Sequence, residues 1–325
     1  MKVLKIFKSY EFLLFLLLVA FAGMIGLINP AFFSIGTLFD VIRIQTIYIL
    51  MAFGLLPVLI LGGVDISFVA IAAVSTFPIH MWLIGLGYEG GIWLYYILCT
   101  AVGILVGLLI GFLLDTFKIR IFDLSLGMNT LLYGFTLFFV GSLTNFDMPA
   151  GMVGWNQRWL FTVQSVVGIS GLHISFLSIF VVGIALHYFL RYTTLGRGIY
   201  AVGSDKSVAI RTGFNLRKIY MTVFPIMGAL SAIAGLTYSV LEANFRPYLF
   251  LGKNMQVLAA CVLGGAAVTG GRGSVLGTFL GTVLIGLVNQ ALVYLGFETQ
   301  WFDFVVGTIF IVYATFQTTT TRSKK

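Results

Sequence analysis

The sequence has 325 residues, of which 59% are hydrophobic and only 9% charged, with a mean hydropathy of +1.05. Soluble domains carry roughly 25% charged residues, so this composition excludes a water-soluble globular protein and describes a single transmembrane domain over 1–325. The net charge of +8 would suit nucleic acid, but its placement along the chain fits membrane topology instead, and no nucleic-acid partner is expected.

In chain order, the first 26 residues imitate a secretory signal. Lys2, Lys5 and Lys8 precede the apolar run Phe12 to Ala20, and Ala20-Phe21-Ala22 resembles a cleavage site. An uncleaved first transmembrane helix is the preferred reading, because the rest of the chain is itself membrane-embedded. A crossing helix needs roughly 20 apolar residues. That length predicts about ten spans, at 10–28, 43–61, 65–86, 92–114, 121–143, 172–190, 219–241, 254–269, 274–295 and 301–317. Asn29-Pro30 breaks the chain between the first two, and the stretch to Ile42 is expected to lie at the interface.

An even number of spans puts both termini on one side. With the amino terminus inside, fifteen of the nineteen basic residues are cytoplasmic: Lys2, Lys5, Lys8, Lys118, Arg120, Arg191, Arg197, Lys206, Arg211, Arg217, Lys218, Arg272, Arg322, Lys324 and Lys325. Arg43, Arg158, Arg246 and Lys253 remain outside. That asymmetry is the positive-inside pattern, and membrane lipid is the surrounding solvent. The longest basic segment, 191–218, is a cytoplasmic loop long enough for a cytosolic partner to grip. On the outer side the loop at 144–171, with Trp155 and Trp159, is either a surface-lying loop or a docking surface.

Glycines recur every four residues twice, at Gly103, Gly107 and Gly111 and at Gly273, Gly277 and Gly281. Such strips allow close helix packing. They sit five spans apart, which predicts an all-α polytopic fold with a five-plus-five inverted-topology repeat.

Gly62-Gly63-Val64-Asp65-Ile66-Ser67 interrupts the join of spans two and three. Asp65 or Ser67 caps the next helix there; the sharper alternative for Asp65 is contact with an ion or substrate. Gly264, Gly265, Gly270, Gly271 and Gly273 form a tight turn or broken helix between spans eight and nine. Their spacing is wrong for a dinucleotide fingerprint, and no G-x-x-x-x-G-K-[ST] phosphate loop occurs anywhere, so the chain does not hydrolyse ATP by that route. His80, His173 and His187 are isolated or interfacial rather than metal ligands. Cys99 and Cys261 lie in separate apolar runs, with neither a metal motif nor a disulfide expected. Asn129, Asn289 and Gln290 are the candidates for a hydrophilic substrate path, since amides suit hydroxyl groups; bonding between helices is the competing role.

Thr194-Leu195-Gly196-Arg197-Gly198-Ile199-Tyr200-Ala201-Val202-Gly203-Ser204-Asp205, running on to Ala209, Gly213 and Tyr220, resembles the cytoplasmic signature of ribose-type ABC-transporter permeases. Gly62-Gly63-Val64-Asp65-Ile66-Ser67 is similar to that family's Gly-Gly-Ile-Asp-Leu-Ser element. Ala259-Ala260-Cys261-Val262-Leu263-Gly264-Gly265, with Gly270-Gly271-x-Gly273-Ser274, is similar to its late glycine element. The resemblance covers nearly the whole chain and implies a bacterial inner-membrane importer subunit. It implies three kinds of partner: an ABC ATPase carrying ATP-Mg, a second permease copy or paralogue, and a periplasmic or lipid-anchored sugar-binding protein. The chain itself would bind no cofactor and perform no covalent chemistry. Gly196, Arg197, Tyr200, Ala201, Gly203, Ala209 and Gly213 would form the ATPase-coupling element, and Arg197 and Arg211 would pair with acidic groups on the ATPase.

Three departures stand out. Phe68-Val69 follows Ser67 where the family continues with Val-Gly. Asn254 stands where a Glu is common, and the proline and small residues expected after Lys118 are missing. The alternative is an ion-coupled secondary carrier, against which counts the lack of an array of intramembrane carboxylates.

Overall fold

The computed structural model describes residues 10–165, 168–298 and 300–322. Lys2, Lys5, Lys8, Lys324 and Lys325 lie outside the described residues. The helices are α1 (Tyr10–Ile28), α2 (Ile35–Ile60), α3 (Phe68–Gly85), α4 (Ile92–Phe117), α5 (Ile121–Phe135), α6 (Phe176–Tyr192), α7 (Thr194–Ser204), α8 (Lys206–Arg211), α9 (Leu216–Leu241), α10 (Asn254–Leu263), α11 (Val275–Tyr294) and α12 (Gln300–Arg322). A helix covers each predicted span, but the crossings are unequal. Among the described residues α1 to α5, α9 and α11 are long and apolar enough to cross alone, α5 by virtue of the π-helical turn Thr136–Val140 that extends it. The bent pair α6 and α7 passes only when taken together, at 71° to one another, while α10 and the apolar part of α12 fall short.

The stretch expected at the interface is partly helical instead. After a 3-10 turn at Pro30–Phe33, Ser34 Oγ accepts from Thr37 N at 3.1 Å and starts α2 eight residues ahead of the expected span. A serine oxygen satisfies one of the free N–H groups at a helix start, so the helix begins where the cap is and not where the apolar run becomes continuous.

α2 is the central helix. From Ile49 to Ile60 it is buried throughout, packed on α9, α11, α6 and α10. The first glycine strip lies in α4 and faces α9. A Cβ on Gly103 would collide with the Gly228 carbonyl, one on Gly107 with the Phe224 carbonyl, and one on Gly111 would sit 2.9 Å from the Tyr220 carbonyl. Bare backbone therefore meets backbone along the α4–α9 pair. The second strip meets different partners: Gly277 and Gly281 pack on Gly264 and Ala260, whereas Gly273 packs on Leu56 and Ile60. The strips are not equivalent, so a five-plus-five repeat does not follow from their spacing.

The outer loop is partly ordered as a hairpin, with β1 (Trp159–Ser165) antiparallel to β2 (Gly168–His173). Ser170 Oγ donates to Asp40 Oδ2 at 3.2 Å, Arg158 stacks over Trp155 at 4.1 Å, and Trp155 meets Trp93 edge-on. His173, expected at the end of a span, closes β2 instead. Its Nδ1 accepts from Ser175 N at 3.1 Å and its Nε2 bonds the Trp155 carbonyl at 2.8 Å. Burial lowers its basicity. Cys99 and Cys261 are free and buried.

Overpacking a tight core costs about 1–3 kcal/mol, and backbone cannot move aside as a side chain can. Gly103→Leu is therefore expected to lower the melting temperature in detergent by several degrees, whereas Gly127→Leu, whose Cβ meets nothing within 4 Å, leaves it unchanged. Thermal unfolding of the two variants checks this.

Candidate functional site

The basic segment 191–218 is folded as three capped helices rather than a loop. Thr193 Oγ1 accepts from Gly196 N at 2.9 Å, Asp205 Oδ1 from Ser207 N and Val208 N at 2.8 and 3.0 Å, and Asn215 Oδ1 from Lys218 N at 3.1 Å. Each oxygen starts one helix. Gly213, at φ +92°, ends α8, and Phe214 N reaches back to the Ala209 carbonyl at 3.1 Å, the left-handed closure that glycine allows. Of the predicted coupling residues, Gly196 and Ala209 are buried, Tyr200, Ala201 and Gly203 are half-buried, and Arg197, Arg211 and Gly213 are exposed. On α8, Val208 and Ile210 are apolar side chains standing exposed beside Lys206 and Arg211.

Three segments distant in sequence converge under α7. A Cβ on Gly203 would collide with the Ile60 carbonyl at the end of α2 and stand 2.7 Å from Gly271 N. Gly271 N donates to that same Ile60 carbonyl at 2.8 Å. Gly270 and Gly271 have φ of +89° and +75°, and a Cβ on Gly270 would lie 2.6 Å from Gly62 Cα and 2.7 Å from the Gly203 carbonyl. Tyr200 Oη completes the junction by donating to the Gly273 carbonyl at 2.9 Å. The surface helix is thus in backbone contact with the α2–α3 turn and the α10–α11 loop at once. Gly62, Gly203, Gly270, Gly271 and Gly273 are brought together here; Gly264 and Gly265 sit apart, with Gly264 packed on Gly277 and Gly265 beside the Tyr10 ring.

Gly63 and Asp65 belong to the same turn. A Cβ on Gly63 would run into Ile121. Asp65 is fully buried, and its Oδ1 accepts from Ser67 N at 2.6 Å and Ser67 Oγ at 2.7 Å. Ser67 itself makes no side-chain cap, so Asp65 organises the start of α3. Its Oδ2 has no partner among the described residues. Burial outweighs the two hydrogen bonds and raises the carboxyl pKa from 3.8 to about 6.

On the other side of α10 the chain is irregular at membrane depth. Asn244, Phe245, Leu249 and Phe250 are buried although they lie outside any helix. Unpaired backbone is costly in hydrocarbon, and partners are supplied. Asn145 and Phe245 exchange both backbone hydrogen bonds, Tyr248 Oη donates to the Ser142 carbonyl at 2.8 Å, and Tyr133 Oη donates to the Leu249 carbonyl at 2.6 Å. Tyr133 stands about 18 Å along α5 at roughly 1.5 Å per residue, which puts Leu249 well inside the bilayer. At its far end α10 passes its last carbonyl, Leu263, to Tyr10 Oη at 2.5 Å. A short helix with buried irregular chain at both ends is the construction transporters use beside a transport path.

Two cavities flank this helix. The outer one, about 340 Å³, is lined by Tyr48, Tyr238, Arg246, Tyr248, Phe250 and Lys253, and no carboxylate lines it. Phe250 has φ +59°, a costly backbone for a bulky residue. The inner one, about 760 Å³, runs from Gly62, Lys118 and Arg120 past Gly203 and Lys206 to Met255 and Leu258 on α10. Lys253 and Met255 thus face different cavities, and the first turn of α10 separates them.

Asn129, Asn289 and Gln290 line neither cavity. Asn129 is half-buried on α5 with an unpartnered Oδ1, and the other two are half-buried on α11. The aromatic and basic residues of the outer cavity do not stand out in the sequence. Arg246 and Lys253, two of the four basic residues that the positive-inside reading leaves outside, are the available signal. Among the described residues no cluster of His, Cys, Asp or Glu is arranged to hold a metal.

Residues 37–314 match the model of the family described as branched-chain amino acid transport system / permease component. The chain is 27% identical over 303 residues to the ribose import permease protein RbsC of Escherichia coli strain K12, covering 91% of this chain and 90% of that one. It is 28% identical over 281 residues to RbsC of Haemophilus influenzae, covering 86% and 84%. With the autoinducer 2 import system permease protein LsrC of Enterobacter sp. strain 638 it shares 28% identity over 305 residues, covering 94% and 85%. No solved structure matches.

An acid that protonates more readily folded than unfolded contributes stability below about pH 4 that is lost as pH rises through about 6, by roughly 3 kcal/mol at most here. Asp65→Asn is expected to remove that decline and to melt no lower than wild type at pH 7.5. Melting curves across this pH range check it. At the junction, Tyr200→Phe is expected to leave the fold intact and weaken coupling several-fold, and Gly203→Val to abolish it. Substrate uptake in membranes, compared with melting temperature, separates coupling from folding.

Proposed function

The chain belongs to the family of branched-chain amino acid transport system permease components, and from that premise we propose that it is the permease subunit of an ATP-driven importer for a small hydroxylated sugar. The observation that carries the ATP-driven part is the junction. Backbone contact ties α7 to both the end of α2 and the loop before α11. A push delivered to α7 and α8 from outside the chain then moves the end of α2 and the entry to α11 together. The push comes from an ABC ATPase carrying ATP-Mg, seated on the exposed Val208, Ile210 and Arg211 of α8, with the predicted coupling residues Gly196, Arg197, Tyr200, Ala201, Gly203, Ala209 and Gly213 beneath it.

The outer cavity bears on substrate class. An amino acid carries an ammonium group as well as a carboxylate, and a buried ammonium needs a carboxylate or several carbonyls. Its wall offers aromatic faces, tyrosine hydroxyls and two basic side chains, of which Lys253 pairs with Asp303 at 4.0 Å, and no acidic residue lines it, which favours a hydroxyl-rich ligand over a zwitterion. The names of the relatives, ribose and autoinducer 2 import permeases, agree with a sugar-like cargo. Asn129, Asn289 and Gln290 are proposed as further polar contacts along the path once a second permease copy or a paralogue packs against this one.

The membrane is the bacterial inner membrane and the basic face is cytoplasmic, following the charge asymmetry. Both termini then lie in the cytoplasm. A periplasmic or lipid-anchored sugar-binding protein docks over the hairpin β1–β2 and the loop before it. Alternating access proceeds by ATPase closure biasing which of the two cavities is open.

The test is a gentle-detergent pull-down of tagged full-length protein from its native membrane, comparing wild type with Val208→Asp plus Arg211→Glu. Wild type is expected to retain an ABC ATPase, and the double variant to lose it at unchanged melting temperature. If no ATPase is retained and the purified chain alone transports sugar on an ion gradient in liposomes, the ATP-driven reading fails in favour of an ion-coupled carrier.

A further inference from the structure

We propose that a basic cavity between α6, α7 and the start of α11 holds the phosphate headgroup of an anionic phospholipid from the cytoplasmic leaflet. This rests on the reading that the basic face is cytoplasmic. The cavity, about 370 Å³, is lined by His187, Arg191, Arg197, Tyr200 and the Gly273–Val275 turn, with Leu190 as its floor. It is separate from both cavities that flank α10.

The distribution of charge points to an anion from outside the chain. All eleven acidic residues of the sequence are among the described ones. The ion pairs they make are with Lys118, Arg120, Arg217 and Lys253. Arg191 and Arg197 are in none of them, so among the described residues two guanidinium groups line one concavity without a counter-ion. At the wall of the cavity Ser274 Oγ donates to Glu11 Oε1 at 3.1 Å, and Glu11 pairs with neither arginine. Guanidinium forks match phosphate oxygens two at a time, and the start of the 20-residue helix α11, where Ser274 Oγ caps Gly277 N but leaves the Val275 and Leu276 N–H groups, adds donors of the same sign.

Position selects a lipid as the source. Arg191 is in the last turn of α6, where that helix leaves the hydrocarbon. Tyr188 and Tyr192 flank it, 63% and 61% exposed, with their rings 5.2 Å apart. Exposed tyrosines at the end of a membrane helix mark the headgroup level, and basic pockets between helices there suit anionic headgroups. A lipid seated in this place touches α7 through Arg197 and Tyr200, one step from the glycine junction, and makes transport sensitive to lipid composition.

The experiment uses the full-length protein in neutral detergent and follows melting temperature and native mass spectra on titration with phosphatidylglycerol. The controls are phosphatidylcholine and inorganic phosphate. Wild type and Arg211→Gln, which lies on α8 outside the cavity, are expected to be stabilised by phosphatidylglycerol and to retain it in the gas phase. Arg191→Gln plus Arg197→Gln is expected to bind it about tenfold or more weakly, as loss of charged hydrogen bonds implies. Should the double variant not fold, Arg197→Lys keeps the charge without the fork and is expected to bind a few-fold more weakly. Equal phosphatidylglycerol binding by wild type and the arginine variants, or an equal response to phosphatidylcholine, overturns the proposal. Full stabilisation by inorganic phosphate alone overturns the lipid assignment. Failure of the ATPase pull-down with lipid binding intact leaves this site standing, because the permease is titrated here without an ATPase.

Discussion

The approach of Gly203 to the Ile60 carbonyl is the contact on which the working parts of this structure depend. A side-chain contact between a surface helix and a membrane helix has rotamer slack, whereas a backbone-on-backbone contact has almost none in a close-packed interior. Here the Ile60 carbonyl is already hydrogen-bonded to Gly271 N, so α7 cannot shift against α2 without also shifting the loop that leads into α11. Any residue larger than glycine at 203 or 270 would open that joint. The surface helix, the end of the central helix and the loop between two spans therefore move as one body.

A second constraint comes from the bilayer. Chain that is not helical at membrane depth must find its hydrogen bonds inside the protein, and around α10 it finds many of them in tyrosine hydroxyls. Tyr133 of α5 holds the Leu249 carbonyl, Tyr248 holds Ser142, and Tyr10 of α1 holds Leu263. α10 is thereby slung between neighbouring helices rather than continuous with a full span. Such a segment can tilt by adjusting a few side-chain bonds, without breaking a helical ladder. It separates the outer and inner cavities, the position in which a small tilt has the largest effect on access.

Much of this is legible in the residues. Hydrophobic run length locates the helices, because desolvated backbone has few alternatives to a helix in lipid. The cap oxygens Thr193, Asp205 and Asn215 are present in the segment expected to be a loop, yet its polarity suggests irregular chain and hides three short helices. Ser34 is likewise a weak start signal beside the stronger Asn29-Pro30 break. The run from Asn254 to Thr269 is long and apolar and reads as a spanning helix. Gly264 and Gly265 end it after ten residues because they pack against α11 and Tyr10, neighbours that no local pattern names.

The sequence by itself determined that the chain is membrane-embedded and helical, and which family it resembles. These follow from composition, hydrophobic run length and short ordered motifs, all local properties of the chain. Only the tertiary structure decided which glycines serve the junction, which arginines lack a counter-ion, and that Tyr48, Tyr238, Arg246 and Lys253 enclose one cavity. Those are meetings between segments more than 200 residues apart, as Gly62 and Gly270 are, and their partners are chosen by close packing in three dimensions rather than by spacing along the chain.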